Sequence, residues 1–193
     1  GDYTGYSVAL SSDGTILAVG AFRNDDAGSD AGHARVYQFS SGSWTQIGSD
    51  LDGESADDQF GRAVAMSGYG NRVIVGGIFD DGSASDAGHA RVYELVGRVS
   101  LDWTPATPND DGLKPQFPDK DDPSSDHAGA RVAVSADGAR VFASAYNHYY
   151  SYGRIYEYAH DGAAWGVART YFHEDGRRLG FGLGVSADGE TVI

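Results

Sequence analysis

The stretch Ser29-Asp-Ala-Gly-His-Ala-Arg-Val-Tyr37 decides the fold of this chain, because it recurs unchanged as Ser85-Asp-Ala-Gly-His-Ala-Arg-Val-Tyr93. The offset is 56 residues (37 to 93), and Gly20 recurs as Gly76 at the same offset. A period of this length is typical of supersecondary units that pack on one another. Fold and function are therefore interpreted repeat by repeat.

Two later copies follow with changed spacing. The third copy begins with a run similar to Gly5–Gly14, namely Gly129-Ala-Arg-Val-Ala-Val-Ser-Ala-Asp-Gly138. A fourth copy begins at Gly180. We align Gly153-Arg-Ile-Tyr156 with Ala90-Arg-Val-Tyr93. The sequence thus predicts one partial domain over 1–193, with repeats at 5–53, 61–104, 129–172 and 180–193 and a Pro/Asp-rich insert at 105–126.

Each copy has the pattern of four antiparallel strands. Ser7-Val-Ala-Leu-Ser11 and Thr15-Ile-Leu-Ala-Val-Gly20 are short β-rich runs joined by Asp13-Gly14, a strong hairpin signal because glycine tolerates positive φ. A second hairpin runs from His33 through Phe39 into Trp44-Thr-Gln-Ile47. Trp44, Trp103 and Trp165 open the fourth strand of each copy, and we expect them to pack between neighbouring sheets rather than to bind a ligand.

Four-stranded units at this spacing are typical of propeller blades, in which each sheet covers its neighbour. A β-solenoid is the alternative, but solenoid repeats are usually shorter and lack two successive hairpins. No long stretch has the apolar spacing of a helix. The predicted fold is all-β, a β-propeller of four-stranded antiparallel blades, of which this chain supplies about three and a half.

Phe60-Gly61 and the degenerate pairs Gly20-Ala21 and Gly76-Gly77 resemble the two motifs of the FG-GAP repeat of the integrin α-subunit head. The resemblance covers nearly the whole chain except the segment between Trp103 and Gly129. It implies a seven-bladed propeller on an extracellular or cell-surface protein that serves adhesion or recognition. The phenylalanine of the first motif is replaced in the other copies by Thr4, Ala128 and Leu179.

The calcium site of that family is not expected here. In the family a carboxylate-rich loop between the first two strands holds the ion, because calcium takes six to eight oxygen ligands. The loops of this chain have at most one carboxylate, and we predict no metal and no cofactor. The four loops are Ser12-Asp13-Gly14, Gly68-Tyr69-Gly70, Ala136-Asp137-Gly138 and Ala187-Asp188-Gly189.

The composition excludes several kinds of partner. Asp and Glu number 28 against 14 Lys and Arg, a formal net charge of −14, which argues against nucleic acid and anionic membranes. The chain has no Cys, so the sequence leaves the redox compartment open. No apolar run approaches a membrane span.

Acidic residues concentrate in the connections between strands two and three and between successive blades, which share one face of the propeller. We expect most of them to cap local turns and to provide solubility. Weak cation binding or attraction of a basic partner is the alternative. The set is Asn24-Asp25-Asp26, Asp30, Asp57-Asp58, Asp80-Asp81, Asp86, Asp110-Asp111, Asp119 and Asp121-Asp122.

A tyrosine-rich segment of the third copy breaks this acidic pattern and is the predicted binding surface. Tyrosine offers a large, rigid contact area at low entropic cost, which suits recognition of a protein or glycan. The alternatives are an aromatic loop packed beneath the Pro/Asp-rich insert, or alternating tyrosines on a strand edge. The predicted binding residues are Tyr146, His148, Tyr149, Tyr150, Tyr152, Tyr171 and His173.

Catalysis has little support, and no catalytic residue is assigned. His33 and His89 are repeat equivalents, which favours a structural role, and no nucleophile elbow, zinc-protease motif or phosphate loop is present. We predict a non-enzymatic extracellular module for adhesion, recognition or structural assembly. The alternative is a polysaccharide-acting propeller enzyme. The rest of the propeller, or another chain, is the expected partner of the open blade faces.

Overall fold

The computed structural model describes residues 1–81, 85–96, 102–105, 126–147, 153–161, 164–172 and 179–193. Within these ranges the protein is all β, which confirms the predicted fold class. The same ranges contain no helix with the length and apolar character needed to cross a membrane. The strands are β1 (Ser7–Leu10), β2 (Ile16–Ala21), β3 (His33–Ser40), β4 (Ser43–Gln46), β5 (Leu51–Asp52), β6 (Ala63–Met66), β7 (Arg72–Gly77), β8 (His89–Val96), β9 (Asp102–Pro105), β10 (Ala128–Val134), β11 (Arg140–Ala145), β12 (Arg154–His160) and β13 (Trp165–Phe172).

The strands form three antiparallel sheets in chain order, as propeller blades do. The sheets are β1-β2-β3-β4, β6-β7-β8-β9 and β10-β11-β12-β13, and β5 joins the first sheet by pairing with β3. In the fourth copy, Val185 and Val192 form an antiparallel bridge. Most of the Pro/Asp-rich insert, residues 106–125, lies outside the described part of the chain.

The first hairpin of three copies is fixed by one aspartate. Ser11 Oγ donates to Asp13 Oδ1 at 2.6 Å, and the Thr15 amide donates to the same oxygen at 3.0 Å. Gly14 follows with φ of 71°, in the left-handed region that glycine favours. Ser135 and Ser186 donate in the same way to Asp137 and Asp188, at 2.6 and 2.5 Å.

The third sheet corrects one predicted alignment. Tyr93 lies opposite Val73 in β7, and the corresponding partner of Val141 in β11 is Tyr158. Tyr158, not Tyr156, is therefore the equivalent of Tyr93, so the predicted register was wrong by two residues. Strand pairing determines the alignment, whereas the short Arg-Ile-Tyr match did not. A shift of two residues keeps each side chain on its own face of the sheet.

Adjacent blades bury apolar faces against each other. Between the first two blades, Ala18 and Val36 pack on Val73 and Val75, all at most 1% exposed. Between the second and third blades, Ile74 and Val92 pack on a corresponding face of β11 and β12. The described members of that face are Val141, Ala143, Tyr156 and Tyr158.

Glycines allow the backbones of adjacent blades to approach closely. A Cβ on Gly76 would lie 2.1 Å from the carbonyl oxygen of Gly129, and one on Gly20 would lie 2.0 Å from that of Gly61. Gly32 likewise lies beside Phe60, with which it forms a parallel bridge. Any side chain at these positions would push the blades apart.

The junction between the third blade and residues 179–193 is polar. Glu157 is 2% exposed, and in register it occupies the place of Val36 and Val92. Arg140 Nη1 donates to Glu157 Oε1 at 3.2 Å, and the Tyr171 hydroxyl donates to Oε2 at 2.7 Å. The other Arg140 nitrogen, Nη2, lies 2.6 Å from Glu190. At the position of Val36 and Val92, a charged network thus replaces an apolar contact.

The expected burial of the tryptophans is only partly found. Trp165 is half-buried and packs between two blades, with the guanidinium carbon of Arg72 5.5 Å from its ring centroid. For Trp44 the prediction is not tested: its side chain is 42% exposed and packs on Phe39, on the same face of the first sheet as Val8 and Leu10. No neighbouring sheet covers this face within the described residues. The Trp103 side chain lies outside the described structure.

We expect Gly76→Ala to lower the free energy of unfolding by about 3 kcal/mol, because overpacking against a rigid backbone has costs of this size. Gly166→Ala is the matched control, since a Cβ there meets nothing within 4 Å. Urea unfolding of both variants measures the difference. Equal stability of the two variants would contradict the close backbone approach.

Acid should destabilise the fold through the hairpin aspartates. The hydrogen bond from the Ser135 hydroxyl, followed by that from the Ala139 amide, lowers the pKa of Asp137 below its ordinary value of 3.8. The carboxylate therefore stabilises the fold above pH 3.8, and this stabilisation is lost as the pH falls through the lower pKa of the folded state. In Asp137→Asn, stability measured from pH 5 to pH 2 should fall less steeply than in the unmodified protein.

Candidate binding site at the inner ends of the blades

The first strands of the blades contact one another, β1 with β6 and β6 with β10, so they form the inner side of the blade array. Two adjoining cavities open at the beginnings of these strands. The larger, of about 330 Å³, is lined by Tyr6, Ser7, Arg62, Ala63, Val64, Arg131 and Val132. The smaller has a volume of about 180 Å³. We call its five lining residues the axial site: Tyr6, Arg62, Arg131, Tyr146 and Phe181.

The repeat itself brings these side chains together. Gly5, Gly61, Gly129 and Gly180 have φ between 82° and 86°, a left-handed turn that directs the chain into the first strand of each copy. Tyr6, Arg62 and Phe181 directly follow three of these glycines, and Arg131 lies two residues after the fourth. The axial site therefore combines residues from the start of the first strand in four copies.

Aromatic contacts orient the rings of the axial site. Tyr6 lies edge-on to Phe22 at 4.7 Å, and Tyr146 lies edge-on to Phe181 at 5.8 Å. The Tyr146 hydroxyl is 3.2 Å from Nδ1 of His127, whose ring packs on Phe79 at 5.0 Å. Burial is the main cause that lowers the pKa of His127, so this imidazole is neutral at pH 7.

The two arginines give the axial site its charge. Arg62 donates to the Gln59 side-chain oxygen at 2.6 Å, and its guanidinium carbon lies 5.8 Å from the Tyr6 ring centroid. Arg131 is exposed and donates to the carbonyl of Ala130 at 2.7 Å. Within the described ranges, neither arginine has a carboxylate at salt-bridge distance. Arg35, Arg72, Arg91 and Arg140, by contrast, each pair with a carboxylate.

The structure brings one predicted binding residue, Tyr146, into the axial site. Tyr171 lies on the outermost strand of its sheet and donates to Glu157, so it lines neither cavity. The other five predicted residues, His148, Tyr149, Tyr150, Tyr152 and His173, lie outside the described part of the chain. The sequence prediction missed the two arginines, although two cations at the starts of first strands in an acidic chain were a usable signal.

The predicted turn-capping role of the acidic loops holds where the structure shows equivalent residues. Asp25 Oδ1 accepts the Asp30 amide at 2.9 Å, and Asp81 Oδ1 accepts the Asp86 amide at 2.8 Å. The same contact in two blades identifies it as part of the repeat fold. A group that could hold a metal ion, Asp26, His33 and Asp50, lies apart from the axial site in the first blade.

Comparison with known proteins supports the repeat assignment. Residues 1–37 match the model of the FG-GAP repeat, which confirms the predicted resemblance in the first copy. The crystal structure of Sqt1 from Chaetomium thermophilum is similar over 99% of this chain, with a TM-score of 0.57 and 17% identity. This chain spans 40% of that structure's length, and at this identity the likeness concerns the fold alone. The search of curated proteins gave no match.

Because His127 is buried, we expect the pKa of its imidazole to lie below the ordinary value of 6.5. Because the folded state lowers the pKa of His127, stability should fall as the pH drops below 6.5 toward the lower pKa of the folded state. NMR titration of the His127 ring protons measures the midpoint. A midpoint at or above 6.5 would contradict the packing of this ring against Phe79 and Tyr146.

Proposed function

We propose that this FG-GAP-like blade array is a non-enzymatic recognition module of an extracellular protein, and that its axial site binds an acidic sugar residue of a glycan. One observation carries this proposal. Arg62 and Arg131 face shared cavities without a described carboxylate partner, in a chain of net charge −14. Cations kept apart from abundant acidic groups are suited to binding an anion.

The chemistry of the axial site fits a uronate better than a neutral sugar. A guanidinium donates two parallel hydrogen bonds to a carboxylate, and such charge-assisted bonds are about twice as strong as neutral ones. The rings of Tyr6, Tyr146 and Phe181 offer apolar surface to the sugar. The larger cavity, of about 330 Å³, is at the small end of ligand pockets and suits one sugar residue.

The FG-GAP match supports a role in recognition, since such repeats are generally non-enzymatic. No catalytic residue is proposed. The rival function is that of a polysaccharide-acting propeller enzyme, and the two differ in one outcome. Turnover of an acidic polysaccharide by the purified protein would contradict the present proposal, whereas binding without turnover supports it.

A second role, blade-on-blade assembly, is favoured by the outer face of the first sheet. Val8 and Leu10 are 61% and 54% exposed, but their repeat equivalents in the second blade, Val64 and Met66, pack against the first blade. The occupant we propose for this face is another four-stranded blade, from the same propeller or from another chain. The buried junction between the first two blades supplies the template for this contact.

Acidic-sugar binding is tested by calorimetric titration with a glucuronate-containing oligosaccharide and with its neutral glucose analogue. Arg131→Gln should lower the affinity for the acidic oligosaccharide at least about tenfold, because a hydrogen bond to a charged group contributes about 1.5–3 kcal/mol. Arg169→Gln is the matched control, with the same charge change at an exposed position on the outermost strand. Equal affinity for the two ligands, or unchanged affinity in Arg131→Gln, would overturn the proposal.

A further inference from the structure

Four side chains of the first blade converge at the edge of its sheet, away from the axial site. His33 begins β3 and pairs in register with Asp52 of β5, while Asp50 lies two residues before Asp52. Asp26 comes from the loop between β2 and β3. Ligand atoms of Asp26, His33 and Asp50 all lie within 4.8 Å of one another.

His33 supplies the observation that points to a ligand. His33 is only 2% exposed, and its ring nitrogen Nδ1 has no hydrogen-bond partner in the described structure. This nitrogen lies 3.9 Å from Asp50 Oδ2 and 3.9 Å from Asp52 Oδ1, both too far for a hydrogen bond. A buried ring nitrogen without a partner is costly, so its position between two carboxylates requires an explanation.

The spacing is close to that of a shared metal ion. Zinc lies about 2.0–2.2 Å from histidine nitrogen and carboxylate oxygen, and its tetrahedral geometry places two ligand atoms about 3.4 Å apart. The observed separations are 3.9 Å, so the carboxylates would move inward by about 0.5 Å on binding. The neutral imidazole is the form that binds a metal.

The local charge also favours a cation. Asp26, Asp50 and Asp52 supply three carboxylates, whereas Arg35 supplies one positive charge, with Nη2 2.6 Å from Asp50 Oδ2 and 3.9 Å from Asp26 Oδ2. A divalent ion would balance the two remaining negative charges.

The second blade repeats the unpartnered ring nitrogen, since neither nitrogen of the buried His89 has a hydrogen-bond partner in the described structure. Among the described residues, however, His89 is not part of a group of three potential metal ligands. His89 occupies the position of His33, but its ring stacks on Phe60 at 5.7 Å and its Nδ1 lies 3.3 Å from Asp80. Arg91, the equivalent of Arg35, pairs with Glu54 of the connection between blades. The two histidines therefore share a sequence motif and differ in their surroundings.

We propose that His33, Asp50 and Asp52, with Asp26, bind a divalent transition-metal ion such as Zn²⁺. One imidazole nitrogen with several carboxylate oxygens is a ligand set that Zn²⁺ accepts. The site lies on the connection from the first blade to the second, not in the hairpin loops that hold calcium in FG-GAP repeats. The ion would join β5 and the β2–β3 loop to the start of β3.

The test is calorimetric titration of the chelator-treated protein with ZnCl₂. We expect one ion per chain and a rise in Tm on addition of Zn²⁺, because a ligand of the folded state stabilises it. Asp52→Asn and His33→Gln should each weaken binding at least tenfold. Asp52 is partly exposed at 44%, so this variant keeps the test valid if His33→Gln fails to fold.

Two controls separate this site from general attraction of cations to an acidic protein. Asp57→Asn removes an exposed carboxylate elsewhere and should leave Zn²⁺ binding unchanged. Arg35→Gln removes the cation that shares Asp50, so it should tighten binding. Absence of Zn²⁺ binding at 1:1 stoichiometry, or equal weakening in Asp57→Asn and Asp52→Asn, would overturn the proposal.

Discussion

The close approach of one backbone to the next at glycine positions is the constraint on which this structure depends. Gly20, Gly76 and Gly32 lie so near carbonyl oxygens of the following blade that no Cβ fits. This approach brings the first strands together and lets the apolar faces of adjacent sheets close without a gap. The cavities of the axial site form where these strands begin, so the geometry of the candidate site follows from the spacing of the blades.

Sequence reasoning recovered what is encoded locally. Asp13-Gly14 specifies a hairpin through contacts within five residues, and the sheet order follows from successive hairpins. It did not recover what depends on distant pairing. The register of Tyr158 is set by β11, and the axial site draws on positions from Tyr6 to Phe181 that no local motif connects. Asp50 and Asp52 reach His33 only because the two-residue strand β5 pairs with β3.

The arginines show how an acidic chain distributes its positive charge. Four of them, Arg35, Arg72, Arg91 and Arg140, neutralise carboxylates within or between blades, and so serve the fold. Arg62 and Arg131 instead contact neutral groups, namely the Gln59 amide oxygen, an aromatic ring and a backbone carbonyl, and they face open cavities. Among the described arginines, these four serve the fold, whereas Arg62 and Arg131 stand at the inner ends of the blades, where a ligand could reach them.

The buried Glu157 has a consequence for the fidelity of assembly in a chain whose first two repeats share a nine-residue sequence. Such similarity invites exchange between blades during folding, because each apolar face fits more than one neighbour. Arg140 and Tyr171 belong to the third blade and pair with Glu157 whichever blade follows, whereas Glu190 comes from the fourth copy. An apolar face placed on the third blade would remove the contact from Arg140 to Glu190 and put no polar group in its place. The polar junction thus favours the fourth copy over the other repeats as the neighbour of the third blade.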